Sequence, residues 1–262
     1  MYIIPGIDIS HYEPNIDWNL LKSSNTVRFV FIKAGQGTIP DDYFKRHWSS
    51  AKSINLPAGA YHLYDPVVSP KRQAESFFEV LGGDLGVLPV VLDLELYTET
   101  RGQYHGWRCW YDWLERFKQL APGKAIIIYT AYFYWRDQGI PWWRLDLSTN
   151  LKYFAQYPLW IAYYTDLPQI STPEIRKIIP KPWTSCLFWQ WSESGRLAAV
   201  RNDGVDLDFF NGSEEEFAAL TGIPIPIPIP TPEDPEEIAR LAKLEEIAGI
   251  DAYLALRKMS LS

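Results

Sequence analysis

Residues 87–96 read Val-Leu-Pro-Val-Val-Leu-Asp-Leu-Glu-Leu, an apolar run that carries two carboxylates at its end. Its hydrophobicity is continuous rather than alternating, which is the pattern of a strand covered on both faces. Seven further short runs share this character: YIIPGIDI (2–9), RFVFIKA (28–34), PAGAYHLY (57–64), KAIIIYT (124–130), PLWIAYY (158–164), CLFWQW (186–191) and GVDLDFF (204–210). Between the early runs, residues 42–54, 69–81 and 106–120 place apolar side chains at helical spacing. Eight such strands predict an α/β fold, an irregular (β/α)8-like barrel. After about five β/α units the connections shorten, and 183–191 runs into 205–209 with little room for a helix, so loops should join the last strands.

The chain has 262 residues, 47% hydrophobic and 15% aromatic, enough for one large core that a single barrel nearly exhausts. Trp, Tyr and Phe total 40, more than a core of this size needs. The surplus suggests flat apolar surfaces of the kind on which sugar rings stack, and filling of the barrel and its helix layer is the plainer account of any one of them. A net charge of -7 without clustered Lys or Arg argues against nucleic acid as a partner. Cys109 and Cys186 lie far apart, so neither a metal site nor a disulfide framework is expected, and one bridge between them is left open. No run of 18 apolar residues occurs, hence no integral membrane segment is expected, and MYIIPGIDIS lacks the basic leader of an export signal.

Residues 223–230 read IPIPIPIP, in which alternate residues lack an N–H and have a fixed φ, giving extended polyproline-like backbone. The expected organisation is a barrel over 1–222, a Pro-rich linker over 223–232 and an amphipathic helix over 233–262. Asp234-Pro235-Glu236-Glu237 supplies the N-cap, the first-turn Pro and the capping Glu, and Ile238, Leu241, Leu244, Ile247 and Leu254 fall near one face. Docking on the barrel, self-association and a partner are its three candidate uses.

In a β/α barrel the C-terminal strand ends form the active face. The eight strands place Asp8, Lys33, Tyr61 with His62, Asp93 with Glu95, Tyr129, Tyr163, Gln190 and Asp206 there. Asp93 and Glu95 are two apart and project from the same face, with Cα atoms roughly 6.5–7 Å apart. Repulsion and lost hydration raise one pKa of such a pair, which creates the proton donor that acetal cleavage needs. Glu95, with the longer reach, is the expected general acid, and Asp93 is expected to stay ionised. A bare D-x-E is more often a salt-bridged partner of Lys33 or an Arg. Asp8 and Asp206, read as the ends of two other strands, turn it into a site, because gathering four carboxylates is costly without a purpose.

Several stretches taken in order resemble glycoside hydrolase family 25, the lysozymes or N-acetylmuramidases. They are GIDISH (6–11) with IDW (16–18), FVFIKAGQGT (29–38), Tyr43-Phe44 to LPAGAYHLY (56–64), LPVVLDLE (88–95), IIIYT (126–130), PLWIAYY (158–164), FWQWS (188–192) and GVDLDFFNG (204–212). The resemblance implies an irregular β/α barrel and cleavage of the β-1,4 bond between N-acetylmuramic acid and N-acetylglucosamine, without a cofactor or metal. It implies Glu95 as proton donor, Asp93 as its partner, Asp8 and Asp206 as further acids of the site, and Tyr61, Tyr129, Tyr163, Gln190 and Trp191 near the sugar. Lys33, at its strand end, joins the substrate-binding candidates. Relatives often have Asn in place of Asp208, and this extra carboxylate is read as facing away along the strand.

Two alternatives stand beside this reading. One is a catalytically inactive glycan-binding or virion-structural barrel, for which loss of an acidic residue would be the sign. The other is a chitinase-like hydrolase of other amino-sugar glycans, which usually carries a longer acidic series than Val90-Val91-Leu92-Asp93. The expected partner is bacterial peptidoglycan. A wall enzyme without an export leader fits cytoplasmic synthesis and release in the manner of a phage or prophage lysin.

Overall fold

The computed structural model describes residues 4–96, 104, 106–139, 151–164, 177–201 and 204–222. The linker over 223–232 and the helix over 233–262 lie outside the described residues. The described residues form nine strands: β1 Ile4–Ile9, β2 Phe29–Gln36, β3 Ile39–Pro40, β4 Ala58–Leu63, β5 Val90–Leu94, β6 Ile126–Ala131, β7 Leu159–Ala162, β8 Phe188–Gly195 and β9 Val205–Phe210. Eight close into a barrel in the order β1-β2-β4-β5-β6-β7-β8-β9 and back to β1, with β3 attached to the edge of β2. Every neighbouring pair of barrel strands from β1 to β8 is parallel, whereas the edge strand β3 is antiparallel to β2 and β9 runs antiparallel to both β8 and β1.

Helices α1 (Trp18–Ser24), α2 (Phe44–Ser53), α3 (Pro70–Leu81) and α4 (Trp107–Leu120) follow β1, β3, β4 and β5. The sequence pattern anticipates α2, α3 and α4 to within two residues. It misses α1, whose Asp17 side chain accepts the Leu20 N–H as an N-cap and whose end is turned by Asn25 in the left-handed region. Also missed is helix Glu214–Thr221, which begins with a capping box between Ser213 and Glu216. β8 passes into β9 as an antiparallel pair, in keeping with the expected loop connection. Cys109 and Cys186 are free thiols. Among the described residues no helix is long and apolar enough to cross a membrane.

Strand pleating sorts side chains into two cores. Ile7, Ile9, Val30, Ile32, Val90, Leu92 and Ile128 point outward to meet Trp48, Phe77, Trp110, Trp113 and Phe117 of the helices. Their alternates Ile4, Phe29, Phe31, Val91, Ile127, Trp160, Phe188 and Phe210 fill the barrel interior. Two glycines make room for this aromatic filling. A Cβ on Gly6 would lie 2.2 Å from the Phe29 ring, and one on Gly59 would lie 2.5 Å from the Phe31 ring. Phe217 joins the interior from helix Glu214–Thr221 and closes the lower end, while Arg28 clamps that helix through a two-pronged bond to Glu214 at 3.1 and 3.2 Å.

Candidate active site

The same pleat that sends Phe29, Phe31, Val91, Ile127, Phe188 and Phe210 inward sends in, one or two steps nearer the mouth, Lys33, Asp93, Glu95, Tyr129, Gln190, Asp208 and Asp206. Asp8 and Tyr61 complete the layer from β1 and β4. Register fixes who meets whom: Lys33 lies opposite Tyr61, Asp93 opposite Tyr129, Gln190 opposite Asp208, and Asp8 opposite Asp206. Asp206 reaches the mouth differently from the sequence expectation. It stands near the start of β9, and the reversal of that strand brings its N-terminal end to the face where the other strands present their C-terminal ends.

Gln190 organises the acids. Its Oε1 accepts from the Tyr129 hydroxyl at 2.7 Å and the Tyr164 hydroxyl at 3.1 Å, and its Nε2 donates to Asp8 Oδ2 at 2.8 Å and Asp206 Oδ2 at 3.1 Å. Both lone-pair directions and both N–H bonds of the amide are used, which sets its orientation. Asp208 takes a bond from Trp160 Nε1 at 2.9 Å. Lys33, 8% exposed, is the cation whose charge acts on Asp93 and Glu95.

Five carboxyls facing one ammonium cannot all be ionised in so little water. Burial, reinforced by the charge of Asp208, holds Asp8 well above the usual carboxylate range. Burial and then the Glu95 charge do the same to Asp93, against a smaller pull from Lys33. Glu95 is raised by lost hydration, which outweighs the Tyr129 hydroxyl and Lys33. Its side chain is open to solvent at the mouth yet hemmed in by protein atoms, the position of a cleft-lining group. Asp206 is pushed up to about 9 by burial and then by Asp8. Asp208 is raised by burial and then by Asp206.

Asp93 is 3% exposed, and its Oδ1 is buried without a hydrogen-bond donor. Burial therefore favours its neutral form, in contrast to the sequence expectation of a permanently ionised Asp93 beside a protonated Glu95. Both carboxyls are thus held above their ordinary range, Asp93 by burial and the Glu95 charge and Glu95 by burial.

Of the residues anticipated from sequence, Asp8, Lys33, Tyr61, Asp93, Glu95, Tyr129, Gln190 and Asp206 meet in this layer. Tyr163 stands farther out, 39% exposed, with its ring 6.5 Å from that of Trp189. Trp191 packs against the outer core. His62 does not belong to the polar ring. It points out of the barrel to stack on Trp113 and meets Gln73 at 3.1 Å, with its pKa lowered by burial to about 4. Asp208 does not face away, since at 1% exposure it lies inside the barrel. Trp160 and Tyr164 are the members of the site that sequence reasoning overlooked, and Asp208 is the one it turned to the wrong face.

The family model for glycosyl hydrolases family 25 matches residues 7–200. That span holds Asp8, Asp93, Glu95 and Gln190, and ends just short of Asp206 and Asp208. The chain is similar to the uncharacterized protein YegX of Escherichia coli, 33% identical over 226 residues that cover 84% of this chain and 74% of that one. It is also similar to lysozyme M1 of Streptomyces globisporus, 31% identical over 228 residues covering 83% and 71%. The crystal structure of the bacterial lysozyme from Streptomyces coelicolor superposes with a TM-score of 0.66 at 28% identity, over 84% of this chain and 98% of that one.

Proposed function

The chain belongs to glycosyl hydrolases family 25 and is a glycoside hydrolase, and from that premise we propose that it is an N-acetylmuramidase acting on the peptidoglycan of bacterial cell walls. The bond cut is the β-1,4 link from N-acetylmuramic acid to N-acetylglucosamine. The observation that carries this reading is the placement of Asp93 and Glu95, two residues apart at the end of β5 and just beyond it, with Glu95 at the solvent edge and Asp93 buried.

In this reading Glu95 gives its proton to the glycosidic oxygen as the bond from that oxygen to C1 breaks, and the departing sugar leaves as an alcohol. Positive charge gathering on C1 and the ring oxygen is met by the negative charge left on Asp93 and Glu95 and by Asp8 held on Gln190. A water molecule completes the hydrolysis, its oxygen bonding to C1 and its proton returning a carboxyl to the neutral form. Retention of configuration in the fresh product, read by NMR, would mean that C1 is captured before water attacks, and inversion that water attacks directly. Tyr61, Tyr129 and Tyr163 are assigned to the sugar-binding groove, with Lys33 holding the pair's charge and Trp191 supporting the groove wall.

The barrel over 1–222 is proposed as the catalytic unit, with 223–232 as linker and 233–262 as a helical appendage, a surface for self-association. Mass spectrometry of digested peptidoglycan tests the function. Muramic acid at the new reducing ends is the expected result. Glucosamine there would reassign the bond, and no fragments from any wall type would remove the muramidase reading.

A further inference from the structure

Asp208 has no part in the proton transfer above, yet it is among the most deeply buried charged groups of the barrel. It sits between two partners on neighbouring strands, Gly6 of β1 and Gln190 of β8. Its Oδ1 is occupied by the indole N–H of Trp160, whereas its Oδ2 is buried with no donor from any nitrogen or hydroxyl. Register makes Asp8 its diagonal neighbour on the same inward face, since Asp8 stands opposite Asp206 and Gly6 opposite Asp208, and Gln190, the partner of Asp208 on the other side, bonds Asp8. Asp8 in turn has Oδ2 occupied by Gln190. Two acceptor-only carboxylates do not attract one another, and their contact becomes a bond only when one of them carries a hydrogen.

We propose that Asp208 is a positioning residue that shares a single proton with Asp8, so that the two carboxyls act as one hydrogen-bonded monoanion. Asp8 is thereby pinned at both ends, by Gln190 on one oxygen and by the proton bridge to Asp208. The mouth is also spared one negative charge.

The surroundings support a proton rather than a cation as the bridge. The charged and titratable groups acting on the pair from around it are Asp206 on β9, Asp93 on β5 and Glu95 just past the end of β5. Tyr61 of β4 and Tyr129 of β6 are hydroxyls held neutral by burial. Glu13 acts through Asp206. Lys33 stands on β2, the strand beside β1, and its charge acts on Asp93 and Glu95. Both carboxyls have lost their hydration, each is pushed up by the other acids of the layer, and a shared proton removes one charge from a place where two would repel.

The proposal concerns the ionisation of the folded protein and stands apart from the identity of the glycan. Its test is infrared difference spectroscopy of the full chain, unsubstituted against Asp208→Asn, at neutral pH. The expected difference is loss of one protonated-carboxyl band with no loss of carboxylate absorption, because the amide N–H replaces the proton bridge and leaves Asp8 ionised. Loss of a carboxylate band instead, with the protonated bands intact, overturns it. Asp8→Asn/Asp208→Asn should remove one protonated and one ionised carboxyl; removal of two protonated ones also overturns it.

If these variants do not fold, carboxyl-carbon NMR of the unsubstituted protein labelled at aspartate gives the same answer. Asp8 and Asp208 should titrate together in two steps, and two independent steps both below about pH 5 refute the shared proton. Activity separates positioning from mere packing. Asp208→Leu, which offers Asp8 no hydrogen, should lower kcat at least about tenfold below Asp208→Asn. Equal kcat and equal pH profiles in the two variants would refute a positioning role.

Discussion

Asp8 and Asp206 stand directly opposite one another across the antiparallel pairing of β1 and β9, and one amide nitrogen, Nε2 of Gln190, donates to both. Two acids brought together by register and held by a neutral group from a third strand form a rigid unit, because a glutamine with all its bonds used has no alternative rotamer of equal energy. Gln190→Leu should therefore strand two carboxyls and two tyrosine hydroxyls at once. The expected cost is about 1–3 kcal/mol in stability, read by urea unfolding, together with a fall in kcat. Unchanged stability would show that water replaces the amide without loss.

Glu95→Gln keeps the shape of the side chain and removes the proton. Release of reducing ends from peptidoglycan should fall by about 10²–10⁴-fold, with circular dichroism unchanged. Activity near the unsubstituted level would transfer the donor role to another acid of the cluster.

Stability should fall as pH rises through the neutral range. Asp206 has an ordinary value of 3.8 and a folded value of about 9. Between these the folded chain holds a proton that the unfolded chain has lost, so the stabilisation is fully present below the lower value and is lost progressively up to the higher one. The slope from this group is at most about 1.4 kcal/mol per pH unit and is reduced by its partial contact with solvent. Urea unfolding at a series of pH values reads it, and Asp206→Asn should flatten the curve between pH 4 and 9. A curve that rises across that window would contradict the raised carboxyls.

Gly6→Ala should be destabilising although alanine is the smallest change available. Its Cβ would meet three atoms of the Phe29 ring at 2.2 to 2.5 Å, deep in the barrel filling. A loss of about 1–3 kcal/mol is expected, with a lowered melting temperature as the readout. Relief by Phe29→Leu in the double variant would confirm the clash.

Truncation after Gly222 should leave the barrel intact. Helix Glu214–Thr221 ends on Gly222 in the left-handed region, a natural stop, and Phe217 has by then closed the interior. An unchanged circular dichroism spectrum and melting temperature are expected for residues 1–222. A fall in the number of copies per particle on truncation would assign the appendage to self-association.

Most of the barrel was legible because strands covered on both faces are continuously apolar, and the runs around Asp93, Ile127 and Trp160 carry that mark with no competing signal. The site was legible to the extent that one rule, the two-residue pleat, was followed. It places Asp93 with Glu95, and applied without exception it also places Asp208 with Asp206, Tyr164 with Ala162 and Trp160, and His62 opposite to Tyr61. The reading departed from the rule at those three points, and at each the structure sides with the pleat. Helix α1 and helix Glu214–Thr221 were hidden for another reason: at seven and eight residues they are too short for periodicity, and only their caps, Asp17 and Ser213 with Glu216, announce them. The reversal of β9 had no local signal, since strand direction is decided by which neighbours close the ring.

That reversal also settles where the chain enters and leaves. Ile4 pairs with Phe210, so the first and last strands begin and finish side by side at the pole sealed by Phe217, opposite the acids. Whatever is joined after Gly222 starts from the floor of the barrel, and an anchor attached there would leave the cleft pointing outward, unobstructed, toward a polymer too large to move.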